Sequence, residues 1–263
     1  MSYALLNDTW VSDYEGYEIK YRAVIVEPRR HKALEKVLVN ISEKLGCPIT
    51  IVHGLGNKDY VLDISRRIPE VDMILELNAW NLNANMYSKL FIQEFFWDEI
   101  RKGEGKILIF QTDSGICGDG DEIHRYLEWD YCGAPWTKIN SLWRRIGDSL
   151  NVDKRRVGNG GFSIRNPEMA KKHIRIHDRR WRENEDKFFS KLCSMDGDCQ
   201  ICDFGTAREF ACEKIDNPDA WAFHNNWKVK GCALNMEISQ LQGGPVEGDV
   251  PGTEWVPVLK RIL

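Results

Sequence analysis

The stretch KILIFQTDSGIC, Lys106 to Cys117, decides how the chain is read. Ile107, Leu108, Ile109 and Phe110 form a continuous apolar run, the pattern of a strand buried on both faces of an α/β sheet. The run stops at Gln111, Thr112, Asp113 and Ser114. Ligands of open α/β sheets sit beyond the carboxyl ends of the strands, so Asp113 is expected to point into the site.

Upstream, YRAVIVE from Tyr21 to Glu27 reads as a first buried strand ended by Pro28. Leu34, Val37, Leu38, Ile41 and Leu45 then recur at helical spacing, with Gly46 and Pro48 as the stop. Ile49 to Val52 is a second strand and Val71 to Leu77 a third. The segment after Asn85, which is expected to cap it, carries Phe91, Ile92, Phe95, Phe96 and Trp97 and predicts a helix apolar nearly all round. Strands alternating with helices in this order predict an α/β fold on a mostly parallel sheet. Downstream, Val157 to Arg165 packs three glycines before a short strand. Asn166 and Pro167 read as N-cap and first turn of a helix whose Met169, His173 and Ile176 share a face. The part from Gly243 is rich in Gly and Pro.

At 263 residues the chain has material for one large domain. A net charge of -4 gives no support to a nucleic-acid binder, and no segment approaches the roughly 20 apolar residues of a membrane helix. The opening MSYALLNDTW lacks a basic and then apolar leader, so a soluble, cytoplasmic protein is expected. In that setting the eight cysteines read as thiols. Cys199-x-x-Cys202 with Cys193 and Cys212 leaves zinc as a lesser alternative.

Five linked segments resemble a glycosyltransferase family: FQTDS (110–114), DYCGAPW (130–136), GNGGFSIR (158–165), EDKFFS (185–190) and Phe223-His224, with VIVEPR (24–29) ahead of them. The resemblance runs from about Tyr21 to Trp227 and implies an A-type glycosyltransferase fold, one Rossmann-like domain over 1–263 with a smaller antiparallel part in its C-terminal half. It implies a nucleotide-binding half over about 21–117, an acceptor and catalytic half over about 118–242, and a tail over 243–263.

The implied reaction moves a sugar from a UDP- or GDP-linked donor to a glycan or other hydroxyl acceptor, with inversion and help from Mn²⁺ or Mg²⁺. Gln111-Thr112-Asp113 has the spacing of a D-x-D metal turn with Gln in the first place, one carboxylate fewer than usual. His224 is then an implied further metal ligand, against the plainer reading of a structural histidine. Asp186 resembles the base of inverting enzymes, with Glu185 orienting substrate; acidic residues in a first turn are also plain helix stabilisers. Glu27, Arg29, Gln111, Thr112, Ser114, Asn159, Gly160, Gly161 and Arg165 are expected at the donor, and Trp136 at the acceptor. The glycines would let backbone approach the sugar closely, and the arginines would meet the diphosphate, with a tight turn and structural ion pairs as the alternatives. Asp119-Gly120-Asp121 and Asp196-Gly197-Asp198 read as solvated turns. Two rivals remain open: an inactive nucleotide-sugar or glycan binder of the same fold, and a nucleotidyltransferase-like enzyme.

Overall fold

The computed structural model describes residues 21–101, 105–136, 157–177, 183–242 and 257–263. Four parallel strands form its centre: β1 (Tyr21–Glu27), β2 (Ile49–His53), β3 (Val71–Leu77) and β4 (Lys106–Phe110). β1 pairs with β2 on one side and with β4 on the other. Two short strands, β6 (Tyr131–Gly133) and β7 (Ser163–Arg165), extend the β4 edge, with β7 antiparallel to β4. At the other edge β10 (Leu259–Arg261) runs antiparallel to β3, so the chain's last residues add a strand where a plain tail was expected. The resulting order is β10-β3-β2-β1-β4-β7-β6. A second, three-stranded sheet joins β5 (Ser114–Ile116), β9 (Ala222–His224) and β8 (Ala211–Cys212). The fold is thus mixed α/β, with a mostly parallel sheet between helices.

The continuous apolar runs of β1 and β4 are buried on both faces, as parallel strands require. The polar interruptions have a reason. Arg22 on β1 donates to Thr50 of β2 at 2.8 Å and grips Asp72 of β3 at 2.5 and 2.9 Å, so one guanidinium ties three strands together. Helix α1 (Leu34–Leu45) buries Leu34, Val37, Leu38 and Ile41 and ends where Gly46 takes φ 55°, a left-handed conformation that glycine adopts at little cost.

The helix expected after Asn85 is broken in two: α3 (Ala84–Phe91), capped by Asn83 and not by Asn85, and α4 (Glu94–Glu99). The indole of Trp97 donates to the Phe91 carbonyl at 2.8 Å. That bond takes up a carbonyl at the end of α3 and turns the chain so that Phe91, Phe96 and Trp97 pack together, edge-on or tilted. An all-round apolar pattern therefore marks a helical corner here. Helix α2 (Lys58–Ser65) was not anticipated. Asn166 and Pro167 do open α5 (Pro167–Ile176), although Ile176 is exposed and does not share the buried face of His173.

The cysteines depart from the thiol expectation. Cys117–Cys232 and Cys193–Cys199 are disulfides, while Cys47, Cys132, Cys202 and Cys212 are buried thiols. Two members of the possible zinc quartet are bonded to each other, which removes that site. The first disulfide fastens the end of the β5 segment to the start of α8 (Ala233–Leu241).

Candidate active site

A cleft of about 1080 Å³ opens beyond the carboxyl ends of the parallel strands. From β1 the chain steps outward through β2 and β3, then returns to place β4 on the other side of β1. Between β1 and β4 the strand order reverses, and such switch points leave a crevice for ligands. Glu27 stands at one lip of this crevice and Gln111, Thr112 and Asp113 at the other. The turn is held by Ser114, whose buried hydroxyl donates to the Gln111 carbonyl at 2.8 Å and accepts from the Gln111 amide at 3.1 Å. Ser114 therefore shapes the turn and does not line the cleft, contrary to its expected contact with the donor.

β9 runs antiparallel to β5, with His224 opposite Ser114. This register brings His224 Nε2 to 3.4 Å from Asp113 Oδ1 and 3.1 Å from the Gln111 amide oxygen. Behind the ring, the buried carboxylate of Glu213 lies 3.8 Å from Nδ1. Burial favours the neutral imidazole, but the carboxylates of Asp113 and Glu213 outweigh it and raise the His224 pKa to about 9. Burial likewise opposes charge on Asp113, yet His224 holds that carboxyl below its ordinary range. A Cβ on Gly161 would stand 2.1 Å from His224 Nε2, so the missing side chain makes room for the ring.

The opposite wall is the start of α6 (Glu185–Met195). Asn184 occupies its N-cap without a side-chain cap bond. Glu185 is buried and accepts from Arg165 Nη2 at 2.9 Å, while Asp186 borders the cleft. Burial and the neighbouring Glu185 push the Asp186 pKa up to about 7, overriding the helix dipole that was expected to keep it ionised. A Cβ on Gly160 would meet Glu185 Oε1 at 2.5 Å and Asp186 Cβ at 2.9 Å. The two glycines line the cleft, and their missing side chains also make room for the protein's own site residues. Asn159 lines the cleft and accepts from the Gly161 amide at 3.1 Å.

Arg165 does not reach the cleft, and its expected diphosphate contact falls with it: its side chain is 1% exposed. Arg29 does border the cleft but grips Glu27 with two bonds of 2.7 and 2.6 Å. The Thr112 hydroxyl lies 3.4 Å from Glu27 Oε2, the oxygen that also accepts from Arg29 Nη2. Trp136 does not line the cleft. Trp80 and Tyr87 are the aromatic rings on its wall, Trp80 half exposed and lying against Gly56, whose Cβ would stand 2.7 Å from the indole. Among the residues not anticipated, Asn57 ties the β1 and β2 ends together by donating to the carbonyls of Glu27 and Arg29. Glu213 and Tyr87 were also missed; nothing in their sequence surroundings marks them. The D-x-D strings lie away from the cleft but are not simple solvated turns: Asp119 caps a short 3-10 helix, Gly120–Arg125, and Asp196, 16% exposed, pairs with Lys172 and His173.

The model of a family described as "Protein of unknown function (DUF5672)" matches residues 73–232, more than half of the chain and a span that includes Asp113, Asp186 and His224. The chain belongs to this family. No curated protein matches it. Among solved structures, this DUF5672 member is similar to the apo form of mouse xyloside xylosyltransferase 1, at 9% identity and a TM-score of 0.49 over 79% of this chain and 97% of that one. It is similar to galactosyltransferase LgtC in complex with donor and acceptor sugar analogs, at 10% identity and 0.49 over 85% and 97%. A third is the apo form of the glycosyltransferase GlyE of Streptococcus pneumoniae TIGR4, at 12% identity and 0.46 over 86% and 61%.

Proposed function

We propose that this DUF5672 member is an A-type glycosyltransferase that uses a UDP- or GDP-linked sugar and inverts the anomeric centre. The observation that supports this most is the convergence, in one switch-point cleft, of Asp113, Gln111 and His224 on one wall with Asp186 on another. Asp113 and the Gln111 amide oxygen, with His224 once its Nε2 proton is displaced, offer a donor set of carboxylate, carbonyl and imidazole that suits Mn²⁺ and admits Mg²⁺. Among the described residues no three His, Cys, Asp or Glu side chains gather as a metal group, so a cation here would take further oxygens from the donor's phosphates. When bound, such a cation offsets the charge that develops on the diphosphate.

The chain's own residues carry the rest of the reaction. An acceptor hydroxyl attacks the anomeric carbon and gives its proton to the Asp186 carboxylate. A new carbon–oxygen bond forms as the bond from the anomeric carbon to the diphosphate oxygen breaks, and that oxygen keeps the electron pair. A base with a pKa near neutrality suits the step, being free to accept a proton and strong enough to hold it. No helix of the described residues is long and apolar enough to cross a membrane. The two disulfides favour an oxidising compartment over the expected cytoplasm.

The test is a thermal-shift screen of nucleotide diphosphates and nucleotide sugars with and without Mn²⁺, followed by a donor-hydrolysis assay with each binder. Binding with turnover is the expected result. Binding without turnover of any donor would favour an inactive binder, and absence of any nucleotide binding would remove the reading altogether.

A further inference from the structure

Arg165 carries a charge that cannot be lost at ordinary pH, in a place where no charge is easily kept. Its Nε donates to Ser163 Oγ at 3.0 Å, and Nη2 donates to the Gly160 carbonyl at 3.2 Å and to Glu185 at 2.9 Å. Three rings surround the guanidinium, with centroids 5.1 Å away for Phe91, 5.2 Å for Tyr131 and 5.7 Å for Phe189. They come from α3, β6 and α6, so elements far apart in the chain close over one cation. A buried ion pair is a weak source of stability, because removing two charges from water costs about as much as their attraction returns. Its value here is geometric. The same nitrogen reaches the turn that carries Gly160 and the residue that precedes Asp186.

We propose that Arg165 is a positioning residue: it clamps the Gly160 turn and Glu185 into one unit, so that Asp186, the next residue along α6, is held at the cleft in a fixed orientation. This rests on the reading of Asp186 as the base. Glu185 is then part of the clamp, since one of its oxygens is engaged by Arg165 and its neighbour alone is left for the acceptor. Only a planar fork reaches Ser163, Gly160 and Glu185 together, which a lysine ammonium does not reproduce. Asp186 faces charge from Glu185 and Lys187 on its own helix and from Arg165 on β7, while the Tyr131 phenol on β6 is kept neutral by burial and by these carboxylates.

The experiment compares the intact chain with Arg165→Lys and Glu185→Gln. In Arg165→Lys, kcat for transfer should fall by about tenfold or more, because a base displaced by an ångström loses its alignment, while donor KM and the affinity for the nucleotide diphosphate with Mn²⁺ stay within about twofold. In Glu185→Gln the fork keeps its charge and Asp186 loses a like-charged neighbour, so the acid limb of the pH profile should move to lower pH. A tenfold loss of nucleotide diphosphate affinity in Arg165→Lys would return Arg165 to the phosphates, and unchanged kcat would reduce it to packing. If Arg165→Lys does not fold, Glu185→Gln decides. If the wild-type chain transfers no sugar, the functional reading fails alone: carboxyl-carbon NMR titration still follows Asp186, whose midpoint must fall in Glu185→Gln, and an unmoved midpoint would overturn the clamp.

Discussion

At the scale of single residues, the site depends on two protonation states set by burial and neighbours. Asp186→Asn should keep nucleotide binding and lose about 10²–10⁴-fold in transfer, read by calorimetry beside a kinetic assay. For the wild type, transfer should rise with pH through about 7 as Asp186 gives up its proton. Stability should move the opposite way. A carboxyl whose folded pKa lies above its unfolded value of about 3.9 stabilises the fold fully below that value, and the contribution is lost as pH rises through about 7. Chemical denaturation at a series of pH values should therefore show a falling slope of up to about 1.4 kcal/mol per pH unit that Asp186→Asn removes. Gly161→Ala would drive a methyl group into His224, 2.1 Å from Nε2. The expected outcome is a folded protein whose Mn²⁺-dependent thermal shift is lost; an unchanged shift would detach His224 from the cation. Asp113 was legible because a carboxylate at the end of a buried run is a local pattern. Arg165 was misassigned because the sequence gives its charge but not the rings of Phe91, Tyr131 and Phe189 that enclose it.

At the scale of elements, the segment after His224 is bound to the site at both ends. Cys232 is bonded to Cys117 at its start, Leu234 packs over Gly115, and Gln242 beyond α8 donates to the Thr112 carbonyl at 2.9 Å. The bond closes a loop with a sequence separation of 115, so Cys232→Ser should lower the unfolding free energy by about 2–5 kcal/mol, measured by denaturant titration without reductant. A loss well below 1 kcal/mol would mean that contacts such as Lys36–Glu237 already hold α8. The central strands were legible because a doubly buried strand is written in consecutive residues. β7 was legible as the short strand after the glycines of Val157 to Arg165, but β6 and β9 were not, since three residues give too little pattern to separate a strand from a turn. The break between α3 and α4 was hidden for another reason: the Trp97 bond that makes it reaches six residues back, beyond what helical periodicity encodes.

At the scale of the molecule, ligand binding and folding are one equilibrium. A nucleotide diphosphate with Mn²⁺ at about one hundred times its dissociation constant adds about 2.7 kcal/mol to the folded state, which for a chain of this size raises Tm by about 5–10 °C. Differential scanning fluorimetry reads that shift, and its absence with every nucleotide would count against the switch-point cleft as a donor site. The mostly parallel sheet was legible from the alternation of strands and helices, and a smaller antiparallel part was implied by the resemblance, but the partners in the second sheet were not legible, because its pairing joins residues more than a hundred positions apart. That pairing of Ser114 with His224 also imposes an order on biosynthesis. The Asp113 turn leaves the ribosome long before its histidine, so a nascent chain has the whole parallel core in hand while the cleft still lacks a wall. Any product that stops short of residue 222 is therefore expected to be inert, however well its first half has folded.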